Sequence, residues 1–104
     1  MATTLIGEQD GRGFRIFIYK ETALDAPSIG AAAVGLVNLT VTGVTTSDKI
    51  LYAMIHGAPS AAGVVISGAF CQAAGNVRFQ FSNPSAGTVD LAAAEVIFAV
   101  LKLS

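Results

Sequence analysis

Apolar and polar positions alternate along this chain in short runs, separated by Gly, Pro, Asn, Asp and Ser. That is the pattern of β-strands joined by turns. Gly13 to Lys20 reads as a first strand, with Phe14, Ile16 and Ile18 on one face and Arg15, Phe17 and Tyr19 on the other. Leu36 to Val44 is the cleanest: Val37, Leu39 and Val41 alternate with Asn38, Thr40 and Thr42, one core face and one wet face. Lys49 to Ile55 is apolar on both faces, which predicts a central or covered strand. Val64 to Cys71 follows, with Gly68 marking a bulge or a close backbone approach. Ala74-Gly75-Asn76 is a tight turn, and Val77, Phe79 and Phe81 then point inward while Arg78 and Gln80 point outward. Asn83 to Gly87 breaks the pattern, Leu91 to Glu95 is a short helix-like patch, and a last strand spans Val96 to Leu103.

The last strand is apolar on both sides. Val96, Phe98 and Val100 point one way; Ile97, Ala99, Leu101 and Leu103 point the other. One row can enter the domain's own core. A chain of 104 residues has little left to cover the second row, so another protein surface is expected to do so. The expected fold is all-β, an antiparallel sandwich of about six to eight strands, jelly-roll-like, formed by residues 13–104 as one domain. Residues 1–12 carry Gly7, Glu8, Asp10 and Gly11 and read as an extended N-terminal arm that orders on a partner.

Composition strengthens the case for association. Only 12% of residues are charged and 53% are hydrophobic, with a mean hydropathy of +0.64, whereas soluble domains are about one quarter charged. A surface so poor in charge carries apolar areas of the kind that mark contact sites. The net charge of −1 comes from six basic and seven acidic residues scattered singly. No basic stripe offers a nucleic-acid footprint and no polybasic run offers one for anionic lipid. The longest apolar runs fall short of a membrane-spanning helix, and the first residues do not read as a signal peptide. A single cysteine excludes an internal disulfide and fits a reducing cytoplasm.

Candidate chemistry is sparse. His56, the only histidine, lacks a nucleophile motif and reads as a loop or interface residue. Cys71, next to Phe70 on a strand, reads as a small core filler. Asp48, Asp90 and Glu95 fall in separate turns, and no metal-ligand spacing or phosphate loop occurs. The expectation is therefore a non-enzymatic protein with no catalytic, cofactor or metal residues. Aromatic residues read mostly as core; Tyr19 and Tyr52 are expected to show an edge at a contact surface. The candidate interface residues are Ile97, Leu101, Leu103, Phe17, Tyr19 and Tyr52.

From Leu36 to Leu103 the order TVTGVTTSDK, AAGVVISGA and NVRFQFSNPSAGTVD, followed by a terminal strand, resembles a small β-rich module of tailed-bacteriophage virions. The module occurs in capsid decoration (cement) proteins and related virion accessory proteins. The resemblance covers about two thirds of the chain; the N-terminal third lies outside it. It implies a structural protein on the outer capsid surface, assembled in the host cytoplasm, that self-associates as a homotrimer and binds the major capsid protein. The alternative is a phage tail or fibre accessory, or a receptor-binding module. The family has no catalytic residues to carry over.

Overall fold

Seven strands make up the fold, and no helix is present among the described residues. The structure, a computed structural model, describes residues 3–25, 28–56, 63–90 and 93–103. The strands are β1 (Thr3–Gly11), β2 (Phe14–Leu24), β3 (Val34–Thr40), β4 (Lys49–His56), β5 (Val65–Ala73), β6 (Asn76–Ser82) and β7 (Ala94–Leu103). They form two antiparallel sheets, a four-stranded one in the order β1-β2-β7-β4 and a three-stranded one in the order β3-β6-β5. The expected antiparallel β-sandwich is the observed fold.

The topology is one long hairpin folded over. Its partners follow one ladder with a register shift between Glu21 and Leu24: Phe14 with Leu103, Glu21 with Val96, Ile29 with Val89, Val34 with Ser82, Thr40 with Asn76. The first half of that ladder lies in one sheet and the second half in the other. The segment from Lys49 to Ala73 doubles back, adding β4 beside β7 and β5 beside β6. This nesting is jelly-roll-like, with β1 added on the far side of β2.

A buried asparagine holds the corner where the hairpin leaves one sheet for the other. Asn83 is 1% exposed. Its Nδ2 lies 3.0, 3.1 and 2.8 Å from the carbonyl oxygens of Ile29, Gly30 and Gly87. Its Oδ1 accepts from the Ser85 amide and hydroxyl. The first of these is an Asx turn, a local bond that competes with continuing the strand. Main-chain bonds between Ile29 and Val89 run both ways beside it.

Inward rows from both sheets form a single core. Val37, Leu39, Val77, Phe79 and Phe81 come from the three-stranded sheet, and Val96, Phe98 and Val100 from the other. Phe79 meets Phe98 edge to face, with centroids 5.2 Å apart at 75°, a favoured aromatic geometry. The accessible surface is 5465 Å², close to the ~5,500 Å² that the size law gives a folded chain of this mass.

Several elements depart from the sequence reading. The stretch read as an arm is strand β1, paired with β2 from Thr3–Glu21 to Gly11–Phe14. It adds nothing to the buried core cluster; main-chain pairing and polar side-chain contacts, Thr3 with Glu21 and Asp10 with Arg15, place it. β4 is an edge strand rather than a central one. Its inward row, Ile50, Ala53 and Ile55, packs on the core, while Leu51, Tyr52 and Met54 stay exposed. The helix-like patch forms no helix: Ala94 and Glu95 already belong to β7, and residues 91–92 lie outside the described ones. Five residues cannot nucleate a helix against pairing of Ala94 with Leu24. β3 ends at Thr40, and Val41 and Val44 instead bond to the Ala74–Gly75 turn, where Gly75 takes φ +75°. Gly68 follows a register shift between Ile66 and Gly68, the bulge that its position suggested.

Candidate interaction face

Strand registry decides which side chains leave the core side of the four-stranded sheet. On β7 the outward row is Glu95, Ile97, Ala99, Leu101 and Leu103. Directly opposite on β2 stand Lys20, Ile18, Ile16 and Phe14, facing Ile97, Ala99, Leu101 and Leu103 in turn. On β4, Lys49, Tyr52 and Met54 oppose Leu101, Ala99 and Ile97. Paired residues share a face, so these side chains form one continuous outer surface. Phe14, Ile16, Ile18, Ile97 and Leu101 are half-buried, and Tyr52, Met54 and Leu103 are exposed, Leu103 to 70%.

Two glycines of β1 lie beside this face. A Cβ on Gly11 would stand 2.1 Å from the Phe14 ring, so the ring lies directly across the glycine backbone. At Gly7 a Cβ would meet Ile18 in ordinary van der Waals contact, 3.6 Å from its Cδ1. Charge is confined to the ends. Lys20 and Glu95 pair at 3.5 Å at one end, and Lys49 stands beside Leu101 at the other.

The candidate set from the sequence therefore divides. Ile97, Leu101, Leu103 and Tyr52 share the outer face. Phe17 and Tyr19 belong to the opposite row, facing Val100 and Phe98 in register. Tyr19 stacks on Phe98 with centroids 5.3 Å apart and 18° between the planes. Burial pushes its phenol pKa up; Lys102 pulls the other way, and Asp48 and Glu8 add to the rise. Beyond Phe17 this inner row turns polar, with Arg15 pairing with Asp10 at 3.1 Å and with Glu8 at 3.8 Å.

The outer face of the three-stranded sheet is built differently. Asn76, Arg78, Gln80 and Ser82 run down its central strand β6. Arg78 donates to Asn38 at 2.9 Å, Ser82 to Ser67 at 2.6 Å, and Asn76 to Gln72 at 2.6 Å. Val34, Leu36, Val65 and Phe70 are exposed on the two flanking strands, on either side of this polar line.

Among the described residues, side chains with nucleophilic or acid–base character do not converge. Cys71 is buried, and desolvation raises its thiol pKa, which keeps it from the reactive thiolate. His56 ends β4 opposite Glu95 in register; residues 57–62, the loop that follows it, lie outside the described residues. Asp48 is committed to structure. Its Oδ2 accepts from the Thr45 amide at 2.8 Å and from Lys102 Nζ at 2.6 Å, while Lys102 also donates to the Gly43 carbonyl. This ties the end of β7 to the turn before β4. Among the described residues no three His, Cys, Asp or Glu side chains gather as metal ligands. A shallow groove of about 190 Å³ lies between the edge strands β4 and β5, lined by Ile50, Tyr52, Ala53 and residues 66–69. No protein family, curated protein or solved structure matches the chain.

Sequence reasoning missed Asn83. The signal was present as an Asn before Pro-Ser, a turn-initiating order in which the side chain caps its own loop.

Proposed function

We propose that this protein is a non-enzymatic structural subunit that works by burying the outer face of its four-stranded sheet against another protein surface. The observation that carries this reading is the continuous apolar row of Phe14, Ile16, Ile18, Ile97, Leu101 and Leu103 beside Gly7 and Gly11, the first five half-buried and Leu103 exposed among the described residues. Exposed apolar areas of this extent mark interaction sites. The phage-like order of segments from Leu36 to Leu103 supports a more specific version: a capsid decoration protein that clamps neighbouring major capsid subunits on the outside of a tailed-bacteriophage shell. Its action there is mechanical. Apolar surface removed from water across subunit boundaries opposes separation of those subunits, at about 25 cal/mol per Å² buried. The low charge of the chain fits contact by shape rather than by electrostatic steering.

The test is co-expression with the major capsid protein encoded nearest to it, followed by sedimentation of the shells. The protein should travel with the shells and raise their disruption temperature. Attachment to tail structures instead, or to neither, would overturn the capsid reading.

A further inference from the structure

We infer that the outer face of the four-stranded sheet pairs with the same face of a second copy of this chain, across a two-fold axis that reverses the strand direction between the copies. The inference rests on the preceding reading of this face as an interface and names what covers it.

Symmetry is the first argument. A ring of three subunits needs two different patches that fit each other on every subunit, whereas a two-fold pair needs one patch that fits itself. The described surface offers one continuous apolar face. On the other sheet, the line from Asn76 to Ser82 separates Val34 and Leu36 from Val65 and Phe70, and its Asn76, Arg78 and Ser82 side chains are bonded to neighbours.

Size is the second. Four strands at about 4.8 Å spacing, over nine residues at about 3.4 Å each, present roughly 500 Å² in projection, before side-chain relief. That is the order of the ~800 Å² that each partner buries in a stable complex. A flat sheet face also matches sheet-on-sheet packing at about 10 Å.

Charge sets the direction. Lys49 stands at one end of the face, beside Leu101, and makes no ion pair among the described residues. Glu95 stands at the other end with Lys20. Reversed strands bring Lys49 of each copy to the Glu95 end of the other, giving two symmetry-related attractions. Strands running the same way would leave Lys49 of each copy at the Lys49 end of the other, away from both Glu95 carboxylates.

Sedimentation equilibrium of the full chain at tens of micromolar tests this. The expected mass is twice 10.6 kDa. Lys49→Glu should weaken the dimer by at least about tenfold in Kd, and Glu95→Lys added to it should recover most of the loss. Ile16→Asp, at the middle of the face, should give a monomer. A wild-type monomer or trimer, an unchanged Kd in Lys49→Glu, or loss of association in Phe70→Asp on the other sheet would overturn the pairing. Shell binding separates the two readings. A wild-type monomer whose attachment to shells is abolished by Ile16→Asp keeps the face as an interface but removes the second copy; if Ile16→Asp changes neither association nor attachment, both readings fall.

Discussion

The two outer faces of this sandwich differ at their centres: one is apolar across both central strands, and the other carries a line of hydrogen-bonded polar side chains between flanking strands that expose Val34, Leu36, Val65 and Phe70. On the three-stranded sheet the central strand turns Asn76, Arg78, Gln80 and Ser82 outward, and partners on either side occupy several of their polar groups. On the four-stranded sheet both central strands, β2 and β7, turn aliphatic and aromatic side chains outward. A strand covered on one side alternates, and a strand covered on both does not. β6 obeys the first pattern and β7 the second, although on the outer row of β7 only the small Ala99 is fully buried, with Ile97 and Leu101 half-buried and Leu103 exposed. The difference teaches that the four-stranded sheet carries on its outer side, too, the composition of an interior layer.

The largest expected effect lies on the core row, where the two faces should not differ. Phe98 is fully buried between Tyr19 and Phe79, so Phe98→Asp buries a charge without a partner and should abolish the cooperative thermal transition. A folded Phe98→Asp would contradict the registry of β7. Leu101→Asp, on the opposite row, should keep the monomer folded with an unfolding free energy within about 1 kcal/mol of wild type. Its effect should appear in sedimentation, as loss of association. Unfolding by both substitutions would erase the distinction between the rows.

On the polar face, Arg78→Ala removes a single exposed bond to Asn38 and should cost no more than about 1 kcal/mol in urea unfolding. The solution mass should not change; if it does, the roles of the two faces are reversed. The smallest effect is in alkali. Burial raises the Tyr19 pKa, so the folded protein holds the phenol proton to higher pH than the unfolded chain does. That contribution to stability is complete below about pH 10 and is lost as pH rises through the raised value. Tyr19→Phe keeps the ring stack and should flatten this part of the stability–pH curve. An unchanged slope would assign the loss elsewhere, with the Cys71 thiol, also raised by burial, the next group to test.

Where inner and outer rows differ in polarity, the sequence was enough to orient a strand. Val77, Phe79 and Phe81 could be placed inside because Arg78 and Gln80 alternate with them, and all three are fully buried. In β2 both rows are apolar or aromatic, so period alone cannot tell inside from outside; only pairing of Tyr19 with Phe98 settles it. Phe17 and Tyr19 were therefore grouped with Leu101 when they belong to the other row. β4 misled for the same reason, its two apolar faces suggesting a central place when it lies at the sheet edge. β1 carries the Gly and acidic composition of a loose segment, and its pairing uses backbone groups that every residue has. The long-range ladder from Phe14–Leu103 to Thr40–Asn76 leaves no mark on any local window, and the Asn83 corner that bends it becomes meaningful only once the bend exists.

Registry also sets where anything joined to this protein would emerge. Thr3 lies across from Glu21, and Leu103 across from Phe14, at opposite poles of the four-stranded sheet. A label or cargo grafted after β7 would leave from the pole of the β1–β2 turn, and one grafted ahead of β1 from the pole of Glu95. In the reversed pair these exits alternate, the tail of one copy beside the head of the other, so a short tether could fuse the two into a single polypeptide.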